Sequence, residues 1–278
     1  MNPEKEPHYV IIFRTCDVVH SLHNAPRPFG LDKRTLIKIC FLSLYEAVQG
    51  YNYTIHILAD KLSDELTRFF ARFPVQITHG SWGNDDSIRE SFRVADTAKP
   101  DDWVYFCEDD YLHTPETFRD LTDMITARNE VFAYKPRRLS LEIFVNTSKK
   151  SLIIHPPDYP DRYKARFRRF SLLFVSNYCH WRQITNTTFT FLAEGKTVQK
   201  YRRILEKSAK NANDAYLSRR LFGGLLFFRK ALCISPLKGL TTHLHEGVMT
   251  PFVEWEEVYT IMMKKVKSIE ENVEKKDN

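Results

Sequence analysis

The first half of the chain alternates short apolar runs with segments whose apolar residues recur at helical spacing. The apolar runs predict four buried strands, at 9–13, 53–59, 75–78 and 103–107. Three segments between them carry the helical pattern, at 31–48, 65–73 and 84–98. Strands that alternate with helices favour right-handed crossovers, so we predict an α/β fold with a mostly parallel central sheet flanked by helices.

The second half is less regular. Helical patterns occur at 115–128, 197–208, 214–222 and 253–267. Strand-like stretches occur at 131–135, 139–145, 151–155, 169–177 and 231–235. The proline-rich segment 155–161 cannot be helical and predicts a loop or lid. With no repeat or low-complexity linker, we predict a single domain over 1–267 and a charged tail over 268–278.

The composition is typical of a soluble globular protein, with 43% hydrophobic and 27% charged residues. The five cysteines form no CxxC pair and are odd in number, which indicates neither a disulfide framework nor a zinc site and favours a reducing, cytoplasmic location. Residues 1–7 show no apolar leader, and no stretch has the length of a membrane span. The net charge of +6 is too small to indicate a nucleic-acid-binding protein, although it favours phosphate-bearing ligands.

Three consecutive carboxylates, Glu108, Asp109 and Asp110, directly follow the fourth predicted strand. Acids crowded at the mouth of a buried strand repel each other and resist desolvation, and a divalent cation would relieve both costs. Mg²⁺ or Mn²⁺ bound to one or two carboxylates commonly completes its shell with substrate phosphates. The alternative is a plain acidic turn after a strand.

Thr15 and Asp60 also follow predicted strands. Parallel sheets bind ligands beyond the carboxyl ends of their strands. We therefore expect Thr15, Asp60 and the three acids to lie close together, at one ligand-binding edge of the sheet.

On these residues the chain resembles the nucleotide-diphospho-sugar transferases, which have the Rossmann-like GT-A fold. The resemblance rests on Phe13-Arg14-Thr15, Asp60, segment 84–89 and the acid triplet 108–110. It implies a nucleotide-sugar-binding half at 8–120 and a smaller, irregular acceptor-binding half at 121–267. It also implies a bound Mn²⁺ or Mg²⁺ with Asp110 as a ligand. Six residues would contact the donor: Arg14, Thr15, Asp60, Arg89, Glu108 and Asp109.

Three residues of the second half complete the candidate site that the resemblance implies. Asp214 stands where inverting members carry the general base, although an aspartate before Ala-Tyr-Leu also suits a helix N-cap. His243 would complete the metal shell, and His245 would point the same way if the segment is extended. Trp181 would stack on the acceptor sugar, with a core position as its alternative.

The sequence thus predicts a metal-dependent glycosyltransferase that moves a sugar from a nucleotide donor, by family frequency a UDP-sugar, to a glycan or to a lipid-linked or protein-linked acceptor. The basic C-terminal helices would allow peripheral contact with a membrane. A sugar nucleotidyltransferase is the alternative, but the segment 14–27 lacks the glycines that cradle a triphosphate. A hydrolase metal centre and a non-catalytic nucleotide-sugar or glycan-binding module also remain open.

Overall fold

A computed structural model describes residues 6–17, 27–132, 150–163, 171–223 and 229–274. The first half contains four strands and three helices, in the predicted order. They are β1 (His8–Thr15), α1 (Lys33–Ala47), β2 (Asn52–Asp60), α2 (Asp64–Phe70), β3 (Gln76–Gly80), α3 (Asn84–Ala95) and β4 (Trp103–Glu108). Each of these elements overlaps one of the predicted segments, and the ends differ by a few residues.

In the part of the second half that the structure describes, there are shorter strands, four α-helices and 3₁₀ helices at Pro160–Tyr163 and Lys210–Ala212. The strands and α-helices are β5 (Tyr111–His113), α4 (Thr117–Val131), β6 (Ser151–Ile154), β7 (Leu173–Val175), β8 (His180–Ile184), β9 (Phe191–Glu194), α5 (Gly195–Ser208), α6 (Asp214–Phe222), β10 (Ala231–Pro236), β11 (Thr241–His243) and α7 (Trp255–Glu274). Within the described residues, no helix is both long enough and apolar enough to cross a membrane.

Nine strands form one sheet in the order β3-β2-β1-β4-β9-β6-β10-β8-β7. β9 and β8 run antiparallel to their neighbours, and the other seven strands share one direction. The predicted α/β class with a mostly parallel central sheet is therefore confirmed. A separate two-stranded ribbon pairs β5 with β11.

The core lies on both faces of this sheet, as expected for a mainly parallel sheet. Side chains of β1 alternate between the faces because the strand repeat is two residues. Tyr9, Ile11 and Phe13 pack with α1 on one face, whereas Val10 and Ile12 pack with α3 and α5 on the other.

Three predictions for the second half need correction. The strand predicted at 131–135 is wrong at its start, because α4 continues through Val131. The segment 155–161 is a loop only up to a 3₁₀ helix at Pro160–Tyr163, and it is no exposed lid, since its Asp158 is fully buried and accepts a hydrogen bond from Arg182. The helix at 253–267 extends to Glu274, so the predicted tail is helical over its first part. The strand predicted at 139–145 lies outside the described residues.

The extension of α7 has a physical cause in a buried lysine. Lys38 of α1, whose side chain is 8% exposed, donates to Glu65 at 2.5 Å and to Glu270 of α7 at 2.6 Å. Ile269 also packs against the core. These contacts hold the last turns of α7 on α1 although the local sequence is highly charged.

We predict that Lys38→Met lowers the free energy of unfolding by about 1–2 kcal/mol. The methionine keeps most of the apolar stem, while the two glutamates lose a partner but stay hydrated, because each is more than 40% exposed. Urea denaturation would measure the change, with the exposed Lys207→Met on α5 as the matched control. Equal stability of the two variants would contradict this account.

Candidate active site at the carboxyl edge of the sheet

The strand register brings the carboxyl ends of β1, β2 and β4 together. Arg14 of β1 lies opposite Glu108 of β4, and Thr15 lies opposite Ala59, next to Asp60 of β2. The sequence prediction that these polar residues share one edge of the sheet is therefore confirmed.

Arg14 and Glu108 form the first ion pair of this edge. Nη2 of Arg14 donates to Oε1 of Glu108 at 2.6 Å, and Nη1 donates to Asn84 at the start of α3. Thr190 holds the other side of Glu108: its hydroxyl accepts from the Glu108 backbone N–H at 3.1 Å and donates to Oε2 at 3.3 Å. Both charged side chains are therefore fixed.

Asp109 is held by a residue that the sequence analysis missed. Nζ of Lys33, the first residue of α1, donates to Oδ1 of Asp109 at 2.6 Å. The backbone N–H of Cys16 donates to Oδ2 at 3.1 Å. The only sequence signal for Lys33 is Asp32, which caps α1 and so places the next residue at the helix start.

Asp110 lies beside His243, the residue that the resemblance gives as the second metal ligand. Nε2 of His243 lies 2.9 Å from Oδ2 of Asp110. The ribbon of β5 and β11 aligns His243 with Tyr111, and their rings stack in parallel at 5.1 Å. The backbone N–H of Leu244 also donates to the Asp110 carbonyl oxygen at 2.8 Å.

The three acids thus lie beside three groups that carry or gain positive charge. Burial opposes ionisation of Asp110, but His243, Lys33 and Arg14 outweigh it and lower its pKa. Burial likewise disfavours the charged form of His243, yet Asp110 raises its pKa overall. Burial raises the pKa of Glu108, and Arg14 opposes this rise. The mutual repulsion expected from the sequence is therefore relieved by side chains of the protein itself.

The donor set at Asp110 and His243 fits a divalent cation of the Mn²⁺ or Mg²⁺ type. A carboxylate oxygen and an imidazole nitrogen stand side by side, and the two side chains are 31% and 28% exposed, so an ion can reach both. Among the described residues, no group of three or more His, Cys, Asp or Glu side chains forms a metal site. A cation here would therefore need ligand phosphates or water to complete its shell.

Asp60 and Thr15 lie beneath this edge rather than on its surface. Asp60 is 4% exposed, and its carboxylate accepts from the backbone N–H groups of Trp82 at 2.7 Å and Gly83 at 2.9 Å. Thr15 is buried as well. Asp60 therefore shapes the loop that leads into α3.

Arg89 lies on α3 and forms an ion pair with Asp86 one turn earlier. Its guanidinium already has a partner on its own helix. A donor contact would have to displace or share that partner.

Asp214 begins α6, and Asn213 is the residue that caps this helix by accepting from the Tyr216 N–H at 2.7 Å. The backbone N–H of Asn211 donates to Asp85 at 2.7 Å. Because Arg14 bonds the adjacent Asn84, the first turn of α3 links the start of α6 to the candidate site. Burial raises the pKa of Asp214, which makes its carboxylate a stronger base.

The prediction for Trp181 is wrong. Its side chain is 0% exposed, and its indole N–H donates to Ser176 at 3.0 Å. Strand alternation in β8 buries Trp181 and leaves His180 exposed, so the ring has no face open to a sugar. His245, beside His243, bonds the carbonyl oxygen of Glu246.

No protein-family model matches the chain, and no curated protein matches it in sequence. Solved structures do resemble it. A nucleotidyl transferase from Methanothermobacter thermautotroptrophicus aligns over 93% of this chain and 99% of its own, with 8% identity and a TM-score of 0.43. A 4-diphosphocytidyl-2C-methyl-D-erythritol synthase from Anaerococcus prevotii aligns over 94% and 96%, with 9% identity and a TM-score of 0.41.

The galactosyltransferase LgtC, solved with donor and acceptor sugar analogs, aligns over 77% of this chain and 70% of its own, with 10% identity and a TM-score of 0.38.

Proposed function

We propose that the protein is a cation-dependent glycosyltransferase that uses a nucleoside diphosphate sugar, with a UDP-sugar as the first candidate. One observation carries the proposal: Asp110 and His243 lie 2.9 Å apart at the carboxyl edge of the sheet, beside the cations Arg14 and Lys33. A metal-ligand pair next to two fixed cations suits a diphosphate, whose charge both would share.

Different residues of this edge would bind the cation and the diphosphate. Asp110 and His243 would hold Mn²⁺ or Mg²⁺, which would supply a Lewis acid for the phosphates of the leaving group. Lys33 and Arg14 are each salt-bridged to an acid, so they are held in place before a ligand arrives. Such preorganised charge stabilises the negative charge that develops as the nucleoside diphosphate leaves.

Asp214 would serve as the general base that accepts the proton of the acceptor hydroxyl. Its raised pKa supports this role, and the turn before its helix donates from the Asn211 N–H to Asp85 in the first turn of α3, which Arg14 also contacts. A base that acts on the acceptor while the diphosphate leaves from the opposite side gives a single displacement with inversion.

A substrate screen tests the proposal. Wild-type protein would first be heated with a panel of nucleoside diphosphates with and without Mn²⁺, since a ligand of the native state raises the melting temperature. Nucleotide sugars would then be incubated with the protein and Mn²⁺, and released nucleoside diphosphate measured. Stabilisation by a diphosphate only when Mn²⁺ is present, followed by its release from a nucleotide sugar, is expected.

A sugar nucleotidyltransferase is the second candidate. Two cations at one edge, Arg14 and Lys33, would also suit a nucleoside triphosphate. That function releases pyrophosphate from a nucleoside triphosphate and a sugar 1-phosphate. Pyrophosphate release without any turnover of nucleotide sugars would favour this candidate, and cation-dependent binding with neither reaction would favour a non-catalytic module.

We predict that Lys33→Met weakens binding of a nucleoside diphosphate about tenfold, equivalent to about 1.4 kcal/mol. The substitution removes one of the two fixed cations but leaves the Cys16 N–H on Asp109. Isothermal titration calorimetry with UDP and Mn²⁺ would measure the change. Lys99→Met, an exposed lysine near the opposite end of β4, is the control. Equal affinity in the two variants would remove Lys33 from the diphosphate site.

A further inference from the structure

The imidazole of His243 has one hydrogen-bond partner within the described part of the chain. Its Nε2 lies 2.9 Å from Oδ2 of Asp110. A histidine that ligates a metal usually also bonds a carboxylate, a carbonyl oxygen or water through its other ring nitrogen, and this second bond fixes the orientation of the ring. No described residue bonds Nδ1 of His243, so a different contact has to set the plane of this ring.

Tyr111 provides that contact. Its ring stacks on the His243 ring, with 5.1 Å between the centroids and 7° between the planes. The arrangement follows from the ribbon, because the register of β5 and β11 places the two residues opposite each other. His245 also approaches His243, with centroids 5.5 Å apart, but at an angle of 37°. Stacking at the distance of the Tyr111 pair is favourable, and tilting the imidazole would lose it.

Tyr111 is itself held in one orientation. The residue is 1% exposed. Its hydroxyl lies 2.5 Å from the hydroxyl of Tyr159 and 3.0 Å from Oγ1 of Thr188. Thr188 also accepts from the backbone N–H of Thr190 at 3.2 Å, which fixes its own side chain. The Tyr111 ring is therefore fixed by burial and by two hydroxyl groups.

We infer that Tyr111 is a positioning residue, which holds the imidazole plane of His243 so that Nε2 faces Asp110. This inference rests on the proposed function, in which Asp110 and His243 hold a divalent cation. Tyr111 is buried, so it acts through His243 and not by touching the cation or the nucleotide. A ring that is already oriented loses less conformational freedom when it binds a metal, so the affinity for the cation should depend on Tyr111.

The role of Tyr111 can be measured through the affinity for Mn²⁺. The protein is titrated with Mn²⁺ in the presence of UDP, and the free ion is followed by its electron paramagnetic resonance signal. Tyr111→Leu removes the stacked ring, and we expect it to bind Mn²⁺ at least about tenfold more weakly, the usual effect of losing a group that orients a ligating histidine. Tyr111→Phe keeps the ring and should stay within about threefold of the wild type.

Tyr9→Leu is the matched control. Tyr9 is also a fully buried tyrosine, and its hydroxyl bonds Thr122 at 2.7 Å. It lies opposite Trp103, the first residue of β4, and so at the other end of the strands from the acid triplet. Its replacement leaves a similar cavity in the core, so it should lower the melting temperature as Tyr111→Leu does, yet leave the Mn²⁺ affinity unchanged.

A second readout needs neither a metal nor the leucine variant. In EDTA, the ring current of Tyr111 should shift the carbon-bound ring protons of His243 upfield in the nuclear magnetic resonance spectrum of the wild type. His243→Asn identifies these protons as the signals that disappear. Tyr111→Phe should keep the upfield shift, and Tyr111→Leu should lose it.

Equal Mn²⁺ affinity in Tyr111→Leu and Tyr9→Leu would overturn the inference and leave the proposed function intact. If Tyr111→Leu does not fold, the wild-type spectrum decides, because His243 protons without an upfield shift would overturn the stacking on which the inference depends. Absence of Mn²⁺ binding by the wild type would instead contradict the proposed function, and the shift in EDTA would still decide whether Tyr111 orients His243.

Discussion

Replacing Asp110 by asparagine is expected to abolish cation-dependent binding of a nucleoside diphosphate and to reduce turnover by roughly 10³-fold, or about 4 kcal/mol. Asparagine keeps the shape of the side chain but removes the charge that faces His243 at 2.9 Å. His243 alone then offers a single protein ligand, which is too little to hold Mn²⁺ or Mg²⁺ against water.

Calorimetry with UDP in the presence and absence of Mn²⁺ would measure this loss, together with steady-state turnover. Asp86→Asn is the control, because that aspartate is exposed on α3 and pairs with Arg89 of the same helix. Asp110 is partly exposed, so its substitution should leave the fold intact, and a melting curve would check this. Full Mn²⁺-dependent affinity in Asp110→Asn would remove the metal role of this residue.

The second large effect is expected at Asp214. Asp214→Asn should lower kcat by about 10²–10⁴-fold, the usual contribution of a general base, while donor affinity stays unchanged. Asparagine cannot accept the proton of the acceptor hydroxyl. Since only the ionised carboxylate acts as a base and burial raises its pKa, kcat should fall as the pH drops, at a higher pH than an ordinary aspartate would give.

The matched control for this variant is Asn213→Ala. Asn213 caps α6, so its loss should destabilise the protein by about 1 kcal/mol without removing the base. If Asp214 only supported the helix start, both variants would lower stability and neither would affect kcat selectively. Turnover retained in Asp214→Asn would end its assignment as the base, and lost donor binding would assign it to the donor site.

The first half of the fold could be predicted because its strands are continuous apolar runs separated by helical patterns. The run Tyr9–Phe13, for example, is buried on both faces and has no other stable placement than a central strand. The short strands β5 and β11 were missed, since three residues carry too little periodicity to be recognised. Their pairing is nevertheless what brings His243 to Asp110.

The candidate site was predicted in part for the same reason. Strand ends could be placed on one edge from the order of elements, and the resemblance alone placed His243 there, but the pairing of Lys33 with Asp109 was missed. Lys33 lies 76 residues from Asp109 in the sequence, and no local sequence pattern predicts that the two form an ion pair. The sequence analysis offered a divalent cation as the group that would relieve the acid triplet, with a plain acidic turn as the alternative, whereas in the structure Arg14, Lys33 and His243 each form an ion pair with one of the three acids.

The prediction for Trp181 failed because the direction of its side chain was wrong. Its indole ring, between His180 and Arg182, suggested a stacking surface for a sugar, with a core position as the alternative. In β8, however, alternate residues face opposite sides of the sheet, so a tryptophan between polar residues points into the core. The composition of a segment indicates only its average exposure, whereas the two-residue repeat of a strand decides which of its side chains are buried.

Pulsed electron paramagnetic resonance of Mn²⁺ bound with UDP tests the central claim most directly. We predict a ¹⁴N coupling from a directly bound imidazole together with ³¹P couplings from the diphosphate, and loss of the ¹⁴N coupling in His243→Asn. Bound Mn²⁺–UDP with phosphorus couplings but no nitrogen coupling in the wild-type protein would contradict the Asp110–His243 site.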